Sequence, residues 1–489
     1  MNRPLRRVAV ACLVLFGLLL LQANWVQVVK AKTYRNDARN KRVLLRTYDR
    51  ERGAIVVGTG KDRKAVALSR ATGDTLKYLR AYPGGPAYAP VTGFASLVYG
   101  YSGIEKLQDS LLSGDDDRLF VRRLSDYITG RKITGGSVVL TINPAAQQVA
   151  YDSLAGKVGA VVALNPKTGA VLAMASRPSY DPTGLSSHDP TAIRSLFNRL
   201  LSDPLAPLAN RAVERSYAPG STFKLVTAAA ALSRGIAQPE TMIDAPTVLQ
   251  FTSGKPLRNF AGESCGAGGK ESLADALATS CNTAFAGLGL KIGENALEQQ
   301  ARAFGFGSND LYLPQPVADS TFRGRETDPL AKPFLAQSAI GQYNVQATPL
   351  QMAMVAAGIA NHGEVMRPYL VQEVQAPDLS TLSTTSPSVL SRAVSPAVAQ
   401  QLTAMMEGVI TKGTGSRAAI AGVRVAGKTG TAQGAAGDRP NVWFVGFAPA
   451  EDPTVAVAVF LDRASGYGAD ATGGKLAAPI AAAVMKALL

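Results

Sequence analysis

Histidine is nearly absent from this 489-residue chain, which has two. A nucleophilic serine here cannot be assumed to have an imidazole beside it and needs some other base. Cysteine is also scarce, at three. Cys12 lies in an apolar run and reads as a small filler, which leaves Cys265 and Cys281 as a pair that an exported protein can oxidise. A Cys265–Cys281 disulfide and two unrelated buried thiols both remain open at this point. No Lys/Arg block is interleaved with aromatics, so the net charge of +15 does not indicate a nucleic-acid partner. The charge is concentrated early, with 24 Lys+Arg against 11 Asp+Glu in residues 1–132, and reads as surface charge facing an anionic envelope. A hydrophobic content of 46% excludes a disordered chain, and the length implies two folded parts, one of them large.

Charge is missing altogether from Val8 to Val29, a stretch containing VAVACLVLFGLLLL that is apolar enough to cross a bilayer core of ~30 Å. A cleaved signal peptide with a site at Val29-Lys30-Ala31 is the competing reading, but the run exceeds what a signal core needs, and an uncleaved signal anchor is expected. Arg3, Arg6 and Arg7 precede the span, whereas Lys30, Lys32, Arg35, Arg39, Lys41 and Arg42 follow it. Positive-inside counting therefore points the wrong way, yet long domains translocate largely regardless of charge, and a short basic head resembles an export signal. The expectation is a cytoplasmic tail over 1–7, an anchor over 8–29 and the body of the protein on the extracellular side.

Residues 30–158 contain short β-prone runs punctuated by Gly and Pro, such as RERGAIVV and YPGGPAYAPVTGFASL, with a helix-like stretch from Pro144 to Leu154. This reads as an elongated β-rich pedestal. From Gly159 onward GAVVALN and AVLAMAS form a hairpin around Pro166-Lys167-Thr168-Gly169, and VRVAGKTGTA, VWFVGFAP and VAVAVFLD supply three later strands before an apolar helix over Lys475–Leu489. Between them lie Ala/Leu-rich helical stretches at Ser221–Ser233 and Leu350–Ile359. An α+β domain over 159–489, an antiparallel sheet with a helical insertion, is the simplest architecture. Ala376–Ser395, rich in Ser, Thr and Pro, reads as an exposed loop.

Chemistry enters at YAPGSTFKLVT. Pro219-Gly220-Ser221-Thr222 is a helix start, and the bland reading of Ser221 is a cap. Lys224 lies three residues on, where its amine can reach the serine hydroxyl. A lysine of ordinary pKa ~10.4 needs desolvation or a second cation to serve as a base. Lys428, beside Thr429, Gly430 and Thr431 in AGKTGTA, is the candidate cation, and Gly430 would let a substrate backbone approach. Lys167-Thr168-Gly169 spells the same triplet but fills a turn and precedes Ser221. In TSCNT, Ser280 and Asn282 sit two apart, so an extended loop would point a hydroxyl and an amide the same way.

Ser-x-x-Lys, Ser-x-Asn and Lys-Thr-Gly in that order resemble the penicillin-binding proteins and serine β-lactamases. GAVVALNPKTGAVLAMASRPSYDP, NRAVERSYAPGSTFK, GQYNVQATPLQMA and WFVGFAP look like the transpeptidase domain, and RGAI and GGSVVLTINPAAQQ look like a class B pedestal. Only about 130 residues separate span and transpeptidase domain, too few for the glycosyltransferase domain of class A. The stalk, the size and the ending at the final helix look like the penicillin-binding protein A group of actinobacteria.

The resemblance implies a D,D-transpeptidase. Ser221 would attack the carbonyl between two D-alanines of a peptidoglycan stem peptide while Lys224 takes its proton. The N–H groups of Ser221 and Thr431 would form the oxyanion hole. Ser280 would protonate the leaving D-Ala, Asn282 would hold a substrate carbonyl, and Lys428 with Thr429 or Thr431 would hold the carboxylate. β-Lactams would be trapped on Ser221, no metal or cofactor is implied, and a membrane glycosyltransferase of the SEDS type is the expected partner. A D,D-carboxypeptidase and a non-enzymatic β-lactam sensor or scaffold are the alternatives. Glu294-Asn295-Ala296-Leu297-Glu298 only approximates a β-lactamase loop motif. Cys281 inside the Ser-x-Asn motif departs from many relatives, and its side chain is expected to point away from the site.

Overall fold

The computed structural model describes residues 2–35, 48–432, 440–464 and 471–489. Arg39, Lys41 and Arg42, used above in the charge count, lie outside the described residues. A helix over Asn2–Asn24 continues through one wider turn at Trp25–Val29. Within Arg3–Val29 the most apolar 18 residues have a mean hydropathy of 2.1, and none of that stretch is buried. At 1.5 Å per residue this helix is long enough to cross a bilayer.

The larger sheet-bearing body follows from strict alternation. Five antiparallel strands run in the order Ala426–Ala432, Asn441–Ala448, Val455–Leu461, Gly159–Leu164 and Val171–Arg177, in register Lys428↔Val445, Val445↔Ala458, Ala458↔Val162 and Val162↔Met174. Side chains such as Val161, Ala163, Val457 and Val459 face the final helix Gly473–Lys486 and the helix Pro144–Ser153. Their neighbours Ala160, Val162, Ala458 and Phe460 face the fully buried helix Pro349–Ala360. Helices cover both faces, so the strands read as unbroken apolar runs rather than as half-polar ones.

The pedestal carries a six-stranded mixed sheet, ordered Thr381–Thr384, Val371–Gln375, Ser137–Leu140, Ile55–Val57, Lys64–Ala71 and Tyr78–Ala81. Its one parallel pair joins Ile55 to Val138. Two of its strands come from far along the chain, at residues 371–384, and the stretch read as an exposed loop, Ala376–Ser395, contains the strands Thr381–Thr384 and Val389–Arg392. Val371–Gln375 and Thr381–Thr384 form a hairpin, and Val389–Arg392 pairs with Glu364–Met366. Edge strands with one wet face need little apolar alternation, which is why Ser and Thr suffice there. The pedestal is also more helical than its sequence suggests, with helices at Gly103–Leu107, Asp109–Leu112 and Phe120–Thr129.

Its core contains an ion cluster. Glu105 is fully buried and accepts from Arg52 Nε and Arg80 Nε, each at 2.6 Å. Burial alone would raise the Glu105 pKa, but the Arg80 and Arg52 guanidiniums outweigh it and hold the carboxyl below its usual range.

Candidate active site

The serine sits where three elements meet. Gly220–Phe223 is a tight 3₁₀ turn running directly into the helix Lys224–Ser233. Gly220 adopts φ +53°, a left-handed conformation that favours glycine, and its N–H donates to Gly341 O at 2.9 Å. Trp443 Nε1 donates to Ala218 O at 3.0 Å and pins the turn against the sheet. Gly430 lies under the same turn: a Cβ there would meet Thr222 Cγ2 at 2.9 Å and Pro219 O at 3.0 Å. Its missing side chain thus serves the packing of the serine turn onto the strand.

Ser221 does not act as a cap. Among the described residues its hydroxyl has no hydrogen-bond partner, and it opens into a cleft of about 1000 Å³ that Ser280, Asn282, Thr429 and Thr431 also line. Lys224 is fully buried, and its amine makes no hydrogen bond to Ser221 Oγ, the contact the three-residue spacing suggests. The Lys224 amine reaches Ser280 O at 2.6 Å, Asn282 Oδ1 at 2.8 Å and Ser280 Oγ at 3.3 Å. Ser280 and Asn282 do converge, though not through an extended loop. Ser280 ends the helix Leu273–Thr279 in a left-handed conformation (φ +66°), and Asn282 begins the helix Asn282–Ile292. A sharp corner between two helices brings the two side chains together.

Lys428 is likewise fully buried, on the strand Ala426–Ala432, and donates to Ser280 Oγ at 2.8 Å and Thr429 O at 2.9 Å. The Ser280 hydroxyl therefore lies between two amines. It has one proton to give, so it can accept from Lys428 while donating to a neutral Lys224. The electrostatics favour that assignment. Burial, and then the neighbouring Lys428 charge, push the Lys224 amine well below the usual lysine range. Burial alone pushes Lys428 down to about 7. Neither amine has an acidic partner among the described residues.

The cleft supplies donors as well. The Lys428 strand is an edge of its sheet, so alternate backbone N–H groups along it have no strand partner. Lys255, Arg258, Arg417 and Lys475 line the cleft against one acid, Glu263, a balance that favours an anionic ligand.

Several participants escaped the sequence reading. Asn259 Oδ1 accepts from the N–H groups of Asn282 and Thr283 at 2.9 and 3.0 Å, capping that helix from a remote loop. Thr414 and Thr429 share a 2.5 Å hydroxyl contact at the cleft. The final helix starts against the Lys428 strand: a Cβ at Gly473 would meet Gly430 O at 2.6 Å. No local pattern marks these residues, because each acts on a segment distant in the chain. Cys281, buried behind the corner, is joined to Cys265, with Cα atoms 6.1 Å apart.

Known proteins resemble this chain in sequence and in fold. The family described as the penicillin binding protein transpeptidase domain matches residues 159–486, and the penicillin binding protein A dimerisation domain matches 52–138. The chain is similar to the peptidoglycan D,D-transpeptidase PbpA of Mycolicibacterium smegmatis, at 48% identity covering 100% of this chain and 99% of that relative. It is 46% identical to the PbpA of Mycobacterium tuberculosis H37Rv, with the same coverage. Among solved structures, penicillin-binding protein A from M. tuberculosis as a ceftriaxone acyl-enzyme complex superimposes with a TM-score of 0.86 at 44% identity, covering 91% of this chain and 100% of that one. Its penicillin G acyl-enzyme complex gives 0.82 at 44% identity, covering 90% and 99%. The chain belongs to the penicillin-binding protein transpeptidase family.

Proposed function

We propose that the chain is a peptidoglycan D,D-transpeptidase of cell-wall synthesis that works through a Ser221 acyl-enzyme and is inhibited covalently by β-lactams. The observation that carries this reading is the Ser280 hydroxyl held between two buried amines beneath an open serine. Ser221 Oγ attacks the carbonyl between the two D-alanines, and the neutral Lys224 amine takes its proton. The N–H groups of Ser221 and Thr431 stabilise the oxyanion. As the tetrahedral intermediate collapses, the proton passes from Lys224 through Ser280 to the departing D-Ala amine. An amine from a second stem peptide then attacks the ester, gives up its proton along the same path, and frees Ser221.

Thr429 and Thr431, which line the cleft, take the substrate carboxylate, with the Lys428 charge beneath them. Asn282 orients the stem peptide. Residues 8–29 are a single-pass anchor preceded by a cytoplasmic tail over 1–7, and the body lies on the extracellular side. Residues 30–158 are the pedestal, joined by the hairpin from 371–384, and 159–489 the transpeptidase domain. The partner is a membrane glycosyltransferase of the SEDS type.

Labelling with a fluorescent penicillin tests the central claim. The wild-type chain should form a covalent adduct that Ser221→Ala abolishes; an adduct of equal yield in Ser221→Ala would place the nucleophile elsewhere.

A further inference from the structure

The helix Phe120–Thr129 of the pedestal is built inside out. Its apolar side chains Phe120, Val121, Leu124, Tyr127 and Ile128 are between 51% and 81% exposed, and at 100° per residue they share one face. The opposite face is the one tied to the protein. Arg122 pairs with Asp126 and with Asp378 at the tip of the pedestal hairpin, next to Leu379, which is 61% exposed. A helix of a water-soluble domain normally places these faces the other way round, and a contiguous exposed patch of this kind marks an interaction surface.

The position of the helix indicates what covers it. It stands where the chain coming from the anchor enters the pedestal. Gly53 N donates to Leu112 O at 2.9 Å and Gly135 N to Glu51 O at 2.9 Å, and Arg50 and Arg123 both pair with Asp115 just before the helix. From the end of the anchor to Arg50 runs a segment of about twenty residues, at most about 70 Å long when fully extended. At the start of the helix Asp115 is paired with Arg50 and Arg123 and Asp116 with Arg118, and its end is followed by exposed Arg131 and Lys132, giving the aromatic and aliphatic side chains a basic edge at the C-terminal end. That combination fits the boundary between headgroups and acyl chains of an anionic lipid leaflet.

We infer that Phe120–Thr129 is an interfacial helix that lies on the anionic outer surface of the bilayer and sets how the pedestal stands above it. The inference rests on the reading of residues 8–29 as the anchor. Docked this way, Tyr127 and Phe120 sit among the headgroups with Val121, Leu124 and Ile128 below them. Arg131 and Lys132 meet lipid phosphates. A second copy of the chain is the rival occupant of the face.

The full-length chain, reconstituted into vesicles, distinguishes these cases. Cys12 is free, so labelling it with an environment-sensitive maleimide dye reports on the anchor. In a Cys12→Ser background, Tyr127→Cys and Ser125→Cys carry the dye on the apolar and polar faces, and penicillin labelling verifies that each variant is folded. At one chain per vesicle containing phosphatidylglycerol, quenching of the Tyr127→Cys label by aqueous acrylamide should fall about fivefold or more relative to Ser125→Cys, as expected for a face ~5–10 Å deep. The protection should weaken when the anionic lipid is replaced by phosphatidylcholine. Equal access of acrylamide to both labels, with the Cys12 label protected, overturns the inference and leaves the anchor reading intact. Protection that appears only as chains per vesicle increase assigns the face to a second copy and also overturns it. An accessible Cys12 label would sink the anchor reading itself, and this inference with it.

Discussion

In the pedestal, Glu105 is buried between Arg52 and Arg80; in the transpeptidase domain, Lys224 and Lys428 are buried around Ser280 with no carboxylate beside them among the described residues. Both clusters bring long polar side chains out of water, and they resolve the cost of desolvation in opposite ways. The pedestal cluster keeps its charges by pairing them, so that Glu105 stays ionised despite complete burial. The serine site lacks pairing: burial and the neighbouring Lys428 charge push the Lys224 amine well below the usual lysine range, so that it sheds its proton, while burial brings Lys428 down to about 7. Paired burial fixes a structure, whereas unpaired burial creates a base. The difference lies in one residue type: a carboxylate beside Lys224 would hold it protonated and useless for accepting the proton of Ser221.

The largest effect should come from removing the base. Lys224→Met keeps the length of the side chain and discards the amine, and the acylation rate of Ser221 by a penicillin should drop by roughly 10³–10⁴-fold in stopped-flow or gel labelling. Because no buried ion pair is broken, the variant should fold at least as stably as the wild type. Glu105→Gln is the complementary test. It leaves two buried guanidiniums without their counter-charge and should cost about 3–5 kcal/mol in denaturant unfolding of the pedestal. Folded Glu105→Gln at ambient temperature should still acylate at close to the wild-type rate.

A smaller effect is expected in the pH dependence of stability, with opposite signs for the two clusters. Glu105 has a lowered folded pKa, so its contribution is present above the unfolded carboxylate value of ~4.3 and is lost as pH falls through the folded value. The two lysines bind fewer protons folded than unfolded between about 7 and the unfolded value of ~10.4. Stability should therefore rise with pH across that window, by up to about 1.4 kcal/mol per unit for each depressed lysine. Urea unfolding at a series of pH values should show that rise in wild type and a shallower one in Lys224→Met.

How much of this was legible beforehand follows from the range of the forces involved. Ser221, Lys224, Ser280, Asn282 and Lys428 stand out as short motifs, and the sheet announces itself through apolar runs such as VAVAVFLD, because buried strands need such runs locally. The pedestal hairpin at 371–384 does not, since neither VQEVQ nor the Ser/Thr-rich edge strand TLST carries an apolar run. Asn259 has none either: the helix it caps begins 23 residues away. The corner at Ser280 depends on two helices meeting, and the spacing alone suggested an extended loop. Gly430 reads as a place for a substrate backbone to approach, and in the structure the serine turn packs against it.

Lys428 helps to keep Lys224 neutral, and the pH profile of Ser221 acylation in wild type and Lys428→Met tests this directly. With the second cation gone, the acid limb of the acylation rate should move to higher pH, because Lys224 then loses a charge that disfavours its own. An acid limb unmoved in Lys428→Met, with the protein folded, would contradict it.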